Sequence, residues 1–481
     1  PATARTLDRD GDPVIITGKN MPDFVNAPLN QLFVYAYRGH QWRQIPWQFD
    51  EKQDSMYTAK GNKKLDPADE LVIMGRDCGD RAASGDWISD ANSHTYPCYQ
   101  ITVVDPLNAA KLGWIYIYRS MTLTDTVKTD YVELDYRTSV FTTPVYKLGF
   151  MLKYLGGDRL ELNGSGIDVL DRSKFRFQPA GQEVFGEEFA EFDEPQPEII
   201  DGRVRAIAGY QIKGQGILTY AYRSQFYDLV AVDLSWLPIP IEWARASADF
   251  NENIVPGVYY DANTPRGVPV DGVPDAVATT PAIQWQQISS STGTIIHTAD
   301  IAPMQGIATT WYRDDATTDP ADTGDKKSYG DMGLTVANPI KYLYLAVTHY
   351  ILPPNHANVG ATYHDYFTHP LQIHANSTAV EKTGTRETPQ SFSLSANYPN
   401  PFNPVTTLRY QVGQTSGVEI GIYDASGRKI HTLVDETKTP GDYAVQWNGL
   451  DDSGQPAASG IYFCTMNAGA FKMTRRLLLL K

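Results

Sequence analysis

The stretch NYPNPFNPVTTLRYQV, Asn397–Val412, decides how the end of this chain folds. Three prolines and three asparagines crowd its first eight residues, and an alternating strand follows. Pro399, Pro401 and Pro404 each fix φ and remove a backbone donor, so the chain enters that strand in one conformation. Phe402 is placed to pack against the strand. Downstream come EIGIYDASGRKIHTLV, YAVQWNGLDDSGQPAASGIYFCTMNAG and FKMTRRLLLLK. With NG and SG turns between them, they read as about seven short strands, which predicts a small immunoglobulin-like sandwich over 391–481. Gly427 and Gly460 suit turn positions needing positive φ. Trp447 is the expected centre of the core.

Upstream lies STAVEKTGTRETPQ, Ser377–Gln390, whose only large apolar residue is Val380. It reads as a linker. Before it stand two further parts. Residues 1–125 carry short strands such as DPVIITG, QLFVYAYR, ELVIMGRD, YQITVVD and GWIYIYRS, bounded by turn residues as in a β-sandwich. Residues 126–376 hold strands interrupted by Asp-rich loops and predict a larger central sandwich. LGFMLKYLGG and KYLYLAVTHYIL are its best short-helix candidates. The predicted fold class is therefore all-β: an N-terminal sandwich, a large central sandwich with long loops, and a C-terminal Ig-like sandwich. The 29 tyrosines and 69 glycines and prolines among 481 residues agree with it.

The formal net charge is −15, which makes nucleic acid or an anionic membrane an unsuitable partner. Only 7 of the 56 acidic residues, against 8 of the 41 basic ones, fall from Ser391 onward, so the acid belongs to the body. No apolar run approaches the ~18 residues of a membrane-spanning helix. PATARTLDRDGDP has no apolar signal core and reads as the start of a mature chain after signal removal. Of three cysteines, Cys78 and Cys98 bracket a Gly/Asp/Ser-rich loop and are expected to form a disulfide. Cys464, on an alternating strand, reads as a small buried hydrophobe.

Motifs of chemistry are sparse. No CxxC, CxxCH, GxSxG, GxGxxG or P-loop occurs, so no haem, nucleotide or flavin is expected. Asp314, Asp315, Asp319, Asp322, Asp325 and Asp331 fall within one loop, WYRDDATTDPADTGDKKSYGDMG. Ca²⁺ takes six to eight oxygens from flexible turns, and the first five of these carboxylates are its candidate ligands. Solvated turn residues are the plainer reading. His349, His356, His364, His369 and His374 cluster in a proline-containing segment read as loop, where imidazoles are chemically able to bind a metal. Trp311, Tyr312 and Tyr329 beside the acidic loop are suited either to sugars or to the core. No pair of carboxylates marks a glycosidase.

The last ninety residues resemble the type A sorting domain of type IX secretion substrates and the related FlgD-like Ig module. The resemblance rests on Tyr398, Pro399, Asn400, Pro401, Phe402, Asn403 and Pro404, then Ile422-Tyr-Asp-Ala-Ser-Gly427-Arg428. It continues through Gly441-Asp-Tyr, Trp447-Asn-Gly and Ser459-Gly460-Ile-Tyr-Phe, closing on Thr474-Arg475-Arg476 and four leucines before Lys481. It implies export through the outer membrane of a Gram-negative bacterium, contact with the secretion machinery in transit, and an extracellular or surface location. It brings no catalytic residue. The leading expectation is a non-enzymatic surface protein that self-assembles, with DPVIITG as a strand in need of a partner. The alternatives are a secreted carbohydrate-binding or carbohydrate-active protein and a metal-dependent hydrolase.

Overall fold

A computed structural model describes residues 2–53, 56–151, 154, 156–189, 200–212, 215–233, 239–280, 282, 284–299, 307–337, 342–378, 392–395, 397, 405–424, 427–458, 460–469 and 471–479. The motif Tyr398–Pro404, Lys481 and the linker from 379 to 390 lie outside the described residues. The chain forms two compact units, Pro1–Val380 and Glu381–Lys481. Both are built from antiparallel strands, and the fold is all-β.

In the first unit a five-stranded sheet runs in the order Gln372–Thr378, Cys98–Asp105, Asn108–Arg119, Leu32–Arg38, Gln41–Gln44. A three-stranded sheet joins Pro13–Thr17, Glu70–Met74 and Gln48–Asp50. One apolar cluster fills the space around them, including Val14, Ile16, Phe33, Ile73, Ile101 and Ile117. DPVIITG therefore already has a partner: Pro13–Thr17 pairs with Glu70–Met74 in full register, Ile15 opposite Val72. The strand is not unpaired as expected, although it stands at the edge of its three-stranded sheet.

The central part is a sandwich. A wide sheet of nine strands has Gln225–Asp233 beside Tyr342–Leu352 near its middle, with Thr294–Ala299 next. A narrow sheet runs Leu170–Pro179, Ile241–Phe250, Ser328–Ala337, Ile307–Asp315. KYLYLAVTHYIL is thus a central strand and not a helix. Short apolar runs fit either state, and its Tyr, Val, Thr and Ile favour the pleated one. The first three residues of LGFMLKYLGG likewise belong to a strand, Tyr146–Phe150. The α-helix among the described residues falls instead in the histidine segment read as loop, Gly360–Thr368. Its start abuts Trp285, where a Cβ on Gly360 would come within 2.1 Å of the indole. Tyr363 and Phe367, one turn apart, pack on Ile296, Tyr350 and Leu352.

The expected Cys78–Cys98 disulfide is absent, and both residues are buried thiols. Cys98 pairs with Tyr118, whereas Cys78 packs on Gly113, where an added Cβ would sit 2.7 Å from its own. Five residues of one strand separate those contacts, about 16 Å. A disulfide requires Cα atoms within about 7 Å. Burial also pushes the Cys78 thiol up to about 12.

The second unit is a two-sheet sandwich. One sheet has Ser393–Leu394, Thr406–Val412 and Gly441–Trp447; the other has Lys429–Lys438, Ser416–Asp424, Gly460–Ala468 and Phe471–Leu479. Period-two alternation sends Leu408, Tyr410 and Val412 inward from one side and Val418, Ile420 and Ile422 from the other. Trp447 is fully buried, and its indole N–H donates to the Leu450 carbonyl at 2.8 Å. Gly427 adopts φ +85°.

Candidate functional site

The middle strands of the wide sheet have two different faces. On Gln225–Asp233, Phe226 and Asp228 point into the sandwich, as do His349 and Ile351 of the neighbouring strand. The alternate residues Gln225, Tyr227, Thr348 and Tyr350 point the other way. They floor a cleft of about 380 Å³, walled by Arg9, Asp12, Pro13, Ile15, Tyr57 and the segment around Tyr366 and Leu371.

Two buried arginines frame the cleft. Arg205 donates from Nε to Asp50 at 2.9 Å and from Nη2 to Glu70 at 2.9 Å. Lys52 also pairs with Glu70, and the Tyr57 hydroxyl donates to it at 2.9 Å. The guanidinium carbon of Arg205 lies 4.9 Å from the Tyr57 ring centre. Arg9 pairs with Asp12 at 2.5 Å and Asp105 at 3.1 Å, and donates to the carbonyls of His369 at 2.7 Å and Tyr366 at 2.8 Å. It also sits 4.3 Å from the centre of the Tyr366 ring. Burial pushes Asp12 up to about 6 despite the Arg9 guanidinium. These groups come from six separate stretches of chain, and no local motif joins them.

Inside the sandwich, His349 Nε2 lies 3.3 Å from an Asp228 carboxylate oxygen. The His349 ring stacks on Phe226 at 4.3 Å and meets His297 edge-on at 4.3 Å. Burial, and then His349, hold His297 well below the usual imidazole range. The other histidines of the sequence cluster go elsewhere: His356 to the loop before the helix, where its carbonyl accepts from Gln287 Nε2 at 2.6 Å, His364 to the helix, His369 to its C-terminal cap and His374 to the strand Gln372–Thr378.

The acidic loop is laced by cations that the sequence did not single out. Asp322 pairs with Lys174 at 2.9 Å, with Arg176, and with Arg313 at 3.8 Å. Asp315 and Asp319 both reach Arg313, at 3.4 and 3.3 Å. Asp314 accepts the N–H groups of Asp271 at 2.9 Å and Gly272 at 3.0 Å, and burial raises it to about 6. Asp325 accepts from the Lys327 N–H at 2.8 Å. Among the described residues no group of three or more His, Cys, Asp or Glu has a metal-holding arrangement. Trp311 faces Arg245 at 3.7 Å and donates to Asp331 at 2.6 Å, and Tyr312 packs on Tyr259, so neither belongs to the cleft.

Sequence reasoning missed the cleft tyrosines. A signal existed in GILTYAYRSQFYDLV, where Tyr220 and Tyr222 share a face by period two. It did not say that this face meets the N-terminal sheets. In the second unit, Arg475 Nε donates to the Leu394 carbonyl at 2.8 Å, tying the closing strand to the first. Arg476 is paired in register with Phe463, and Gly460 with Leu479.

Residues 405–470 match the family model of the FlgD Ig-like domain. No curated protein matches the chain. Among solved structures, a glycoside hydrolase family 81 protein from Clostridium thermocellum is 10% identical over 68% of this chain and 38% of its own, with a TM-score of 0.24. Dimeric latent PorU from Porphyromonas gingivalis is 10% identical over 78% and 36%, with a TM-score of 0.17. PorZ, a surface component of the type IX secretion system of the same organism, is 12% identical over 76% and 62%, with a TM-score of 0.15. The chain spans less than two thirds of each of these three proteins, and TM-scores this low do not define a shared fold. Among the described residues no helix is long and apolar enough to cross a membrane.

Proposed function

We propose that this chain is an exported protein of a Gram-negative cell surface, with residues 381–481 as its export and attachment module and residues 1–380 as a non-enzymatic binding body. The observation that carries the reading is the C-terminal sandwich, a compact unit of its own that contains the FlgD Ig-like match at 405–470. An address module has to fold without help from its cargo, and a core of its own allows that. The Pro-rich entry Tyr398–Pro404 and the basic closing strand with Arg475 and Arg476 supply the sorting resemblance. A non-catalytic body is supported by its carboxylates: Asp50, Glu70 and Asp105 at the cleft are held in ion pairs with arginine.

The test attaches residues 381–481 to a periplasmically targeted fluorescent reporter in a bacterium with an active type IX system. The reporter is expected at the cell surface, accessible to added protease. Replacing Tyr398–Pro404 by a Gly/Ser segment is expected to leave it in the periplasm. Periplasmic retention of the unaltered fusion would overturn the reading.

A further inference from the structure

We propose that the tyrosine-floored cleft of the body binds a neutral saccharide chain. This goes beyond the export reading and does not depend on it. The floor is a cross-strand grid. Tyr220 lies opposite Tyr227, which lies opposite Thr348 on the third strand. One step along, Gln225 lies opposite Tyr350, and the Tyr222 N–H donates to the Gln225 carbonyl at 2.9 Å. Neighbouring strands are about 4.8 Å apart and alternate residues about 7 Å apart, which is the scale of a pyranose ring. The Tyr220 and Tyr227 rings lie side by side, with centroids 5.5 Å apart and planes tilted by 55°, so the floor presents two adjoining aromatic rings. Such surfaces take ligands with one apolar face and polar rims, and the volume of about 380 Å³ falls within the roughly 300–1,000 Å³ of small-molecule sites.

Two observations narrow the ligand class. Gln225 is 93% buried, lines the cleft, and its side-chain carbonyl oxygen has no hydrogen-bond partner. A buried acceptor left without a donor is costly, and a ligand hydroxyl can donate to it once the Gln225 side chain turns toward the cleft, since the oxygen is shielded from solvent as it stands. The cations of the cleft are already committed: Arg205 to Asp50 and Glu70, and Arg9 to Asp12, Asp105 and two carbonyls. Neither arginine of the cleft is left over for a carboxylate or sulfate, so an acidic saccharide has no counter-charge to meet. The same ion pairs hold the walls in place, since Arg9 bonds to the end of the Gly360–Thr368 helix and fixes Tyr366. A preformed wall and floor lower the ordering cost of binding.

The experiment is affinity electrophoresis of the full chain in gels containing a β-1,3-glucan, an α-mannan or a xylan, with alginate as the acidic counterpart. Retardation by at least one neutral polysaccharide and none by alginate is expected. Tyr227→Ala should weaken that binding at least tenfold, whereas Tyr227→Trp should retain it. Gln225→Met keeps the volume, removes the acceptor and should weaken binding several-fold. Thermal melting of each variant reports folding, and Gln225→Met carries the test if Tyr227→Ala does not fold. The proposal is overturned if no neutral polysaccharide retards the folded protein, if alginate alone does, or if the folded variants bind as the parent does.

Discussion

The two units solve the same problem, burying the faces of antiparallel sheets, with different chemistry. Among the described residues of the second unit, the buried polar side chains are Asn397, Thr406 and Thr465, none of them charged. The body buries Arg9, Lys174 and Arg205 with Asp12, Asp50, Asp249, Asp322 and others. An apolar core needs only shape and pattern to form. A charged interior forms only when every partner arrives, because an ion taken from water without its counter-ion costs several kcal/mol. The second unit is therefore suited to folding alone, and the body to holding one particular geometry around its cleft.

The largest expected effects separate the units. Arg205→Ala leaves Asp50 and Glu70 without their shared cation and should destabilise the body by about 3–5 kcal/mol. Trp447→Ala empties the centre of the second core and should cost about 3–5 kcal/mol there. Calorimetry of the full chain should show each variant lowering one transition and sparing the other. A joint shift of both would break the contrast.

Within the acidic loop the contrast recurs on a smaller scale. Asp322 is buried beside Lys174 and Arg176, and Asp322→Ala should cost about 3 kcal/mol. Asp319 reaches Arg313 at the surface, and Asp319→Ala should change stability by less than about 0.5 kcal/mol. Chemical denaturation of the two variants side by side checks the ratio.

Acid should act on the body through His297. Its proton affinity in the folded state lies well below the usual 6.5, so the unfolded chain takes up the proton first. The stability of the neutral, buried form is fully present above pH 6.5 and is lost below it, at about 1.4 kcal/mol per pH unit. Asp12, raised to about 6, works in the opposite sense but is common to both proteins of a pair. Between pH 7.5 and 5, the parent should lose about 2 kcal/mol more than His297→Leu, read from urea unfolding. Equal losses would show that the imidazole is solvated.

The smallest effect is on the thiols. Reductant should leave both melting transitions within about 1 °C, since no disulfide constrains the unfolded chain. A maleimide should label Cys78, Cys98 and Cys464 only after denaturation, scored by intact mass.

What the sequence determined by itself is the local and periodic part. All-β class, the Ig-like module at the end and the burial of Trp447 and Cys464 follow from alternation, turn residues and proline stiffness, which act over a few neighbouring residues. Long-range pairing was not legible. KYLYLAVTHYIL is a strand because sheet covers it on both sides, and GATYHDYFT is a helix because Tyr363 and Phe367 find an apolar seat on the wide sheet. The cysteines are separated by the register of one hairpin strand. The cleft depends on Arg9 meeting a carbonyl 360 residues away and on Arg205 meeting Asp50 across 155. Such contacts are set by which sheet faces meet. Only the tertiary structure decides that, because burial rewards the sum over a whole face and no short stretch of residues encodes it.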